Sequence, residues 1–247
     1  MSFLRDLNPV QQEAAKTTNG PVMIIAGAGS GKTRVLTYRI AHLVDCGVAP
    51  YEILALTFTN KAANEMKERI RKLIGEGASK LWMGTFHSMF ARVLRRECEA
   101  LGYTRSFTIY DSDDSLSAVK NAMAQAGISA QQISPQLVRS LLSGAKNQLL
   151  TPKGYAGQVR DLTGEKAAEV YRLYDRLLER SNALDFDDLL LKPIQLFTRY
   201  PNVLSRYQHQ FKFILVDEFQ DTNRAQYQVT KLLAGKYGNI CVVGDDA

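Results

Sequence analysis

The sequence predicts an α/β fold in which a mostly parallel, doubly wound sheet carries an inserted α-helical subdomain. Three observations support this. Short apolar runs at 22–25, 53–59, 80–84, 213–216 and 240–243 alternate with stretches of helical periodicity, the pattern of strands joined by crossover helices. The first run empties into a glycine-rich turn, AGAGSGKT at 26–33. Between about residues 90 and 183 strands become scarce and helical spacing dominates.

Bulk properties set the frame. At 247 residues and 45% hydrophobic content, the chain is long enough and apolar enough for one large or two smaller globular domains. A net charge of +6 is compatible with a polyanionic partner and is only a weak vote for one, since many enzymes are as basic. Cys46, Cys98 and Cys241 are odd in number and widely spaced, which fits neither a disulfide framework nor a metal-ligand cluster and points to a reducing, cytoplasmic setting. The N-terminus has no apolar signal region and no run of 18 apolar residues occurs, so a membrane role is not expected.

In chain order, Asn8 and Pro9 are a helix N-cap and first helical position, opening a helix that carries Gln11. A glutamine here is ordinarily a solvated helix residue, although its amide has the donor and acceptor that adenine presents in complement. The run 22–25 reads as a short buried strand, after which Leu36, Ile40, Leu43 and Val44 take helical spacing up to Gly47. Strand, glycine turn and helix in this order form a phosphate-binding P-loop. Glycines let successive N–H groups face one concavity, and the helix N-terminus adds unpaired donors. Lys32 is then placed for β- and γ-phosphates and Thr33 for Mg²⁺. The first position of the pattern is Ala26, so close approach relies on Gly27, Gly29 and Gly31.

A second buried strand at 53–59 ends in a polar turn, with Thr59 or Asn60 capping a helix whose apolar stripe (Ala62, Ala63, Met66, Ile70, Leu73, Ile74) opposes a basic face beginning at Lys61. Phe58 is an aromatic at such a strand end, where ligands bind in open α/β sheets. The arrangement returns at Thr85-Phe86-His87. A lone histidine with no neighbouring Cys, His or carboxylate is a poor metal ligand. Within the helical stretch, 107–110 is extended and 150–155 is a loop by its Pro and Gly content. The strand 213–216 then ends in Asp217 and Glu218. Beside a P-loop, a strand-end Asp serves Mg²⁺ and an adjacent Glu is suited to orient and deprotonate attacking water. The last strand runs into Gly244-Asp245-Asp246. A guanine-specific switch is disfavoured, because Asn60-Lys61-Ala62-Ala63 lacks the acid of a guanine reader.

The ordered set LNPVQQEAA, AGAGSGKTR, LTFTNKAANEMKERI, GTFHS, DFDDLL, VDEFQDTN and VVGDD resembles the first RecA-like motor domain of superfamily 1A DNA helicases of the UvrD, Rep and PcrA type, over nearly the whole chain. The resemblance implies domain 1A in two parts, 1–89 and 184–247, with a helical 1B subdomain at 90–183 to which SGAKN (143–147) also belongs. It implies ATP and Mg²⁺ as cofactors, adenine read by Gln11, phosphates cradled by Gly27, Ala28, Gly29, Ser30, Gly31, Lys32 and Thr33, and Arg34 beside the nucleotide. Asp217 would serve Mg²⁺ and Glu218 would be the catalytic base. Thr57, Phe58, Thr59, Asn60 and Lys61, with Thr85, Phe86 and His87, would line the path of single-stranded DNA or of a single-strand/duplex junction. A strand-end Phe suits that task, since stacking is worth roughly 1–3 kcal/mol per base and ignores base identity.

Family members continue past the Gly-Asp turn into a nucleotide-sensing glutamine and a second motor domain, whereas this sequence stops at Ala247. The expectation is therefore the ATP- and DNA-binding half of a 3′-to-5′ helicase, nearly inactive alone for want of the second domain's arginines. The competing class is a truncated DNA- or partner-binding module with little turnover.

Overall fold

The structure is a computed structural model and describes residues 3–27 and 29–245. Ala28 and Asp246 lie outside the described residues. The chain forms two compact units: Met1–Met89 with Phe197–Thr222 and Gln226–Ala247, and Phe90–Leu196 with Asn223–Ala225.

The first unit opens with α1 (Pro9–Lys16), β1 (Val22–Ile25), α2 (Lys32–Asp45), β2 (Ile53–Thr57), α3 (Asn60–Ile74) and β3 (Trp82–Thr85), and α4 (Phe86–Glu97) leads out of it. The second unit holds β4 (Thr108–Ile109), α5 (Ser112–Gln125), α6 (Pro135–Asn147), α7 (Pro152–Ala156), α8 (Leu162–Arg180) and β5 (Ala183–Leu184). Helix α9 (Asp188–Arg199) returns the chain, and α10 (Pro201–Gln210), β6 (Phe213–Val216), α11 (Arg224–Ala234) and β7 (Ile240–Gly244) follow.

Local chemistry accounts for the helix ends. Asn8 and Gln11 form a reciprocal capping box at α1: the Gln11 N–H donates to Asn8 Oδ1 and the Asn8 N–H to Gln11 Oε1. Gly47, at φ +91°, closes α2, with its N–H donating to the Val44 carbonyl. Thr59 caps α3 by accepting from the Ala62 N–H.

The main sheet has strand order β1-β7-β6-β2-β3 and every pair is parallel. Interior strand β2 is buried at all five positions, as a strand covered by helices on both faces must be. Leu36, Ile40 and Leu43 of α2 and Met66 and Ile70 of α3 pack with Ala55, Leu215 and Val243 into one core cluster. Strand β1 departs from the sequence expectation. It sits at the sheet edge, and while Val22 and Ile24 pack against the core, Met23 and Ile25 are 64% and 61% exposed.

In the second unit, α5, α6 and α8 bury Val119, Met123, Val138, Leu142, Val170, Tyr171 and Tyr174 together. Residues 108–109 pair in parallel with 183–184, so β5 belongs with this unit and its compact part runs on to Leu196 rather than stopping at 183. The expected loop at 150–155 contains the short helix α7: Thr151 caps it and Pro152 takes the first helical position, where its missing N–H costs nothing. No helix among the described residues is long and apolar enough to cross a membrane.

A buried ion cluster fixes this unit. Lys146 Nζ meets Asp185 Oδ2 at 2.7 Å and Asp188 Oδ1 at 2.9 Å, all three residues are buried, and the Tyr174 hydroxyl donates to the same Asp185 oxygen at 2.8 Å. Removing one partner from such a cluster leaves charge stranded in a medium that solvates it poorly. Lys146→Ala is expected to cost about 3–5 kcal/mol in urea unfolding, against about 0.3–0.5 kcal/mol for Arg69→Ala, which loses only an exposed i,i+4 contact with Glu65.

Candidate functional site

Because all five strands run the same way, their carboxyl ends share one edge of the sheet. That edge receives the glycine loop after β1, Asp217 and Glu218 after β6, Asp245 after β7, Phe58 and Thr59 after β2, and the β3–α4 turn.

Lys32 is the centre of the loop. Its side chain is 9% exposed, and Nζ donates to the carbonyls of Ala26 at 2.7 Å and Gly27 at 3.1 Å and pairs with Asp245. Gly29 and Gly31 hold φ of +77° and +88°, left-handed values that glycine adopts without penalty. Gly31 is the N-cap of α2, so the loop delivers Lys32 and Thr33 straight into the first turn of a helix. At the first pattern position Ala26 is not left-handed, so it needs no glycine, and its N–H extends the parallel ladder to the Gly244 carbonyl.

Gln11 is tied to the loop, donating from Nε2 to the Ser30 carbonyl at 3.0 Å. With Oε1 accepting from Asn8 N–H, the amide keeps one N–H and one lone pair free for a planar partner. Arg34 is exposed, donates to the Asp6 carbonyl at 2.8 Å and lies over Tyr38.

The acidic side of the site comes from β6. Asp217 is 2% exposed; its N–H donates to the Leu56 carbonyl, and Oδ2 accepts from the Thr33 hydroxyl at 3.3 Å. Burial, then the neighbouring Glu218, raises the Asp217 pKa above the usual carboxylate value, and the Thr33 hydrogen bond opposes that rise. Glu218 is half-buried and left-handed at φ 52°, ψ 46°, one of three non-glycine residues with positive φ among those described. That conformation costs roughly 1–2 kcal/mol for a residue with a Cβ. Gln220 donates to Glu218 Oε2 at 2.7 Å and accepts the Asp245 N–H at 3.1 Å. Sequence reading passed over Gln220; the closeness of a potential Cβ on Gly244 to its amide oxygen, 2.9 Å, marks how tightly it is seated.

The expected DNA-facing residues divide by exposure. Asn60 and Lys61 are exposed and Phe58 is half-buried. Thr57 and Phe86, at 1% exposure each, have their side chains buried. Thr57 donates to the Thr59 carbonyl, and the Phe86 ring packs 5.6 Å from that of Phe58, so both support the turn from beneath. Thr85 is also buried and caps α4, accepting from the Ser88 N–H at 3.2 Å. Thr59 spends its hydroxyl on the α3 cap. His87 is partly buried, and desolvation lowers its pKa to about 4, so it is neutral at pH 7.

Residues 7–247 match the model of the UvrD/REP helicase N-terminal domain. The chain belongs to the UvrD/REP helicase family. It is 51% identical over 245 residues to the ATP-dependent DNA helicase PcrA of Staphylococcus aureus (strain Mu50), covering 99% of this chain and 34% of that protein. PcrA of Staphylococcus epidermidis (strain RP62A) is 49% identical over the same length, with the same coverage. The chain thus spans about a third of the length of the curated relatives it matches.

Two further segments quoted from the sequence meet in the second unit of this UvrD/REP chain. Lys146 of SGAKN pairs with Asp185 and Asp188 of DFDDLL, and Asn147 Nδ2 donates to Asp187 Oδ1 at 3.0 Å. Between these anchored acids Phe186 is 56% exposed at the rim of a groove of about 820 Å³ also lined by Arg139, Ser143 and Asn147. A lone apolar residue among three aspartates was the only signal of it in the sequence.

His87 sets a pH dependence. Its folded-state pKa of about 4 lies below the ordinary 6.5, so the unfolded chain binds more protons between those values. Its contribution to stability is therefore complete above about pH 6.5 and declines as pH falls towards 4. His87→Gln is expected to flatten the dependence of the urea midpoint on pH across that window and leave its slope near pH 8 unchanged.

Proposed function

We propose that this chain is the ATP- and single-stranded-DNA-binding portion of an ATP-dependent 3′-to-5′ DNA helicase that uses Mg²⁺. The observation that carries the reading is the meeting of Lys32, Thr33, Asp217 and Glu218 at the carboxyl ends of parallel strands, in a chain of a helicase family. Relatives half identical to it are named ATP-dependent DNA helicases, which supports the same activity for the protein this chain represents.

The residues fit the cofactors on their chemistry. Thr33 and Asp217 offer hard oxygen donors within 3.3 Å of each other, as Mg²⁺ requires. Among the described residues no group of three or more His, Cys, Asp or Glu forms a metal site by itself, and Mg²⁺ characteristically takes one or two protein oxygens and completes its shell with substrate phosphates and water. Bound between Thr33, Asp217 and the phosphates, Mg²⁺ would neutralise charge on the transferred phosphoryl group. Glu218 is the base in this reading: it is more exposed than Asp217 and free of the metal's oxygen set, so it is placed to hold and deprotonate the attacking water. Lys32 supplies positive charge to the phosphates, and the Gln11 amide meets adenine with the donor and acceptor it keeps. Single-stranded DNA would lie on Phe58, Asn60 and Lys61, where the half-buried aromatic offers a face for stacking. Single-strand/duplex junctions, as the substrate of the longer protein, belong to the same proposal.

Two measurements test this reading. Titration calorimetry is expected to show Mg²⁺-dependent ATP binding that Lys32→Ala weakens; tight binding indifferent to that substitution overturns it. For DNA, fluorescence anisotropy is expected to show weak, salt-sensitive binding to single strands with little sequence preference. Phe58→Ala removes roughly 1–3 kcal/mol while keeping the salt slope, whereas Lys61→Ala flattens the slope. Loss of melting temperature together with affinity in Phe58→Ala would instead mark the ring as core alone.

A further inference from the structure

We propose that Asp245 and Gln220 form an internal latch on Lys32: Asp245 is a built-in counter-ion that phosphate must displace, and Gln220 holds it in place and ties it to Glu218. The proposal rests on the reading of Lys32 as the phosphate-binding lysine.

The geometry forms a continuous chain of contacts. Lys32 Nζ pairs with the Asp245 carboxylate; the Asp245 N–H donates to Gln220 Oε1 at 3.1 Å; Gln220 Nε2 donates to Glu218 Oε2 at 2.7 Å. The amide has only one workable orientation. Flipped, its oxygen would face the Glu218 carboxylate and its NH₂ the Asp245 N–H, pairing acceptor with acceptor and donor with donor. Gly244 makes the seat possible, since a Cβ there would stand 2.9 Å from Gln220 Oε1. A Cβ at the end of β7 would push that amide oxygen off its place beside the Asp245 N–H.

Electrostatics gives the latch its consequence. An amine 9% exposed needs acceptors, and two carbonyls with one carboxylate supply them. A nucleotide's phosphates are a stronger anionic partner for the same amine, and Asp245 would repel them while it stays on Lys32. Phosphate entry thus has to swing the Asp245 carboxylate away. Its backbone N–H is held by the amide that also holds Glu218, so Gln220 is the link by which occupancy at Lys32 reaches the base. Gln220 touches none of the reacting groups of a nucleotide in this scheme; it is a positioning residue.

The test is Mg²⁺·ATP affinity by calorimetry at one fixed low ionic strength, with melting temperatures as a check on folding. The proteins are the parent chain, Lys32→Ala, Asp245→Asn, Gln220→Leu and the Asp245→Asn/Gln220→Leu double variant. Asp245→Asn is expected to tighten binding roughly two- to fivefold, the range a partly exposed ion pair carries. Gln220→Leu changes no charge, so a shift in the same direction reports release of the latch rather than relief of bulk repulsion. The double variant is expected to gain no more than the larger single gain, because both substitutions open one contact. A purely structural role for Gln220 would lower melting temperature and affinity together. Unchanged or weaker binding in Asp245→Asn, with Lys32→Ala still impairing it, overturns the latch and leaves the phosphate reading standing. Additive gains, or a gain confined to Asp245→Asn, remove Gln220 from it. A Lys32→Ala chain that binds like the parent overturns the reading beneath both.

Discussion

A charged amine held almost out of water governs this edge of the sheet. Lys32 cannot be buried without acceptors, and those it has come from three separate places: the end of β1, the glycine loop, and the turn after β7. They converge only because β1 and β7 are parallel neighbours in a fixed register, with Ile25 opposite Gly244. A one-residue slip would turn every side chain of β1 to the other face and carry the loop off its partners. Strand order is thus part of the site's chemistry. The apolar packing of α2 and α3 on the sheet fixes the position of a few carbonyls.

The two acids after β6 show how one strand end yields two environments. Asp217 is the last residue to bond sideways into the sheet, through its N–H to Leu56, and it is buried beside the Thr33 hydroxyl. The next residue turns left-handed, so Glu218 leaves the sheet's alternation and comes into partial contact with water. Non-glycine residues pay for that conformation, and such strain persists where surrounding structure over-determines it. Here the surroundings are explicit: the Glu218 N–H donates to Asp217 Oδ1 and its carboxylate accepts from Gln220.

Local chemistry was legible in the sequence and long-range placement was not. The Asn8 cap, the Pro9 start, the glycine loop and the acids after β6 all depend on neighbours a few residues away, and the structure has each of them where the pattern puts it. Exposure depends on what covers each face. The run VMII reads as fully apolar, yet only one face of β1 is covered, so Val22 and Ile24 pack inward while Met23 and Ile25 stay open; the other edge strand, β3, is buried throughout. Phe86 is a further case: its place in a polar turn suggests an open side chain, and in the structure the ring is buried and tilted against that of Phe58. The pairing of 108–109 with 183–184 spans too much chain and too few residues for periodicity to detect. Gln220 gave no signal because Asp245, the partner that joins it to the Lys32 loop, lies 25 residues away in sequence and reaches it through the sheet.

The two candidate surfaces on this edge are closer than their separation in sequence implies. Strands β6 and β2 are adjacent, with Leu56 opposite Val216, and the ladder's last bond runs from Asp217 N–H to the Leu56 carbonyl. Two residues beyond Leu56 is Phe58, whose ring rests on Phe86 and whose strand is otherwise wholly buried. The acid beside Thr33 and the aromatic turn after β2 are therefore anchored to the same rung of one rigid sheet. Strand β2 itself is buried along its length and paired on both edges, so little freedom is left to the backbone between them. One backbone hydrogen bond, from Asp217 N–H to the Leu56 carbonyl, thus joins the strand end that carries the acids to the strand that leads into the Phe58 turn.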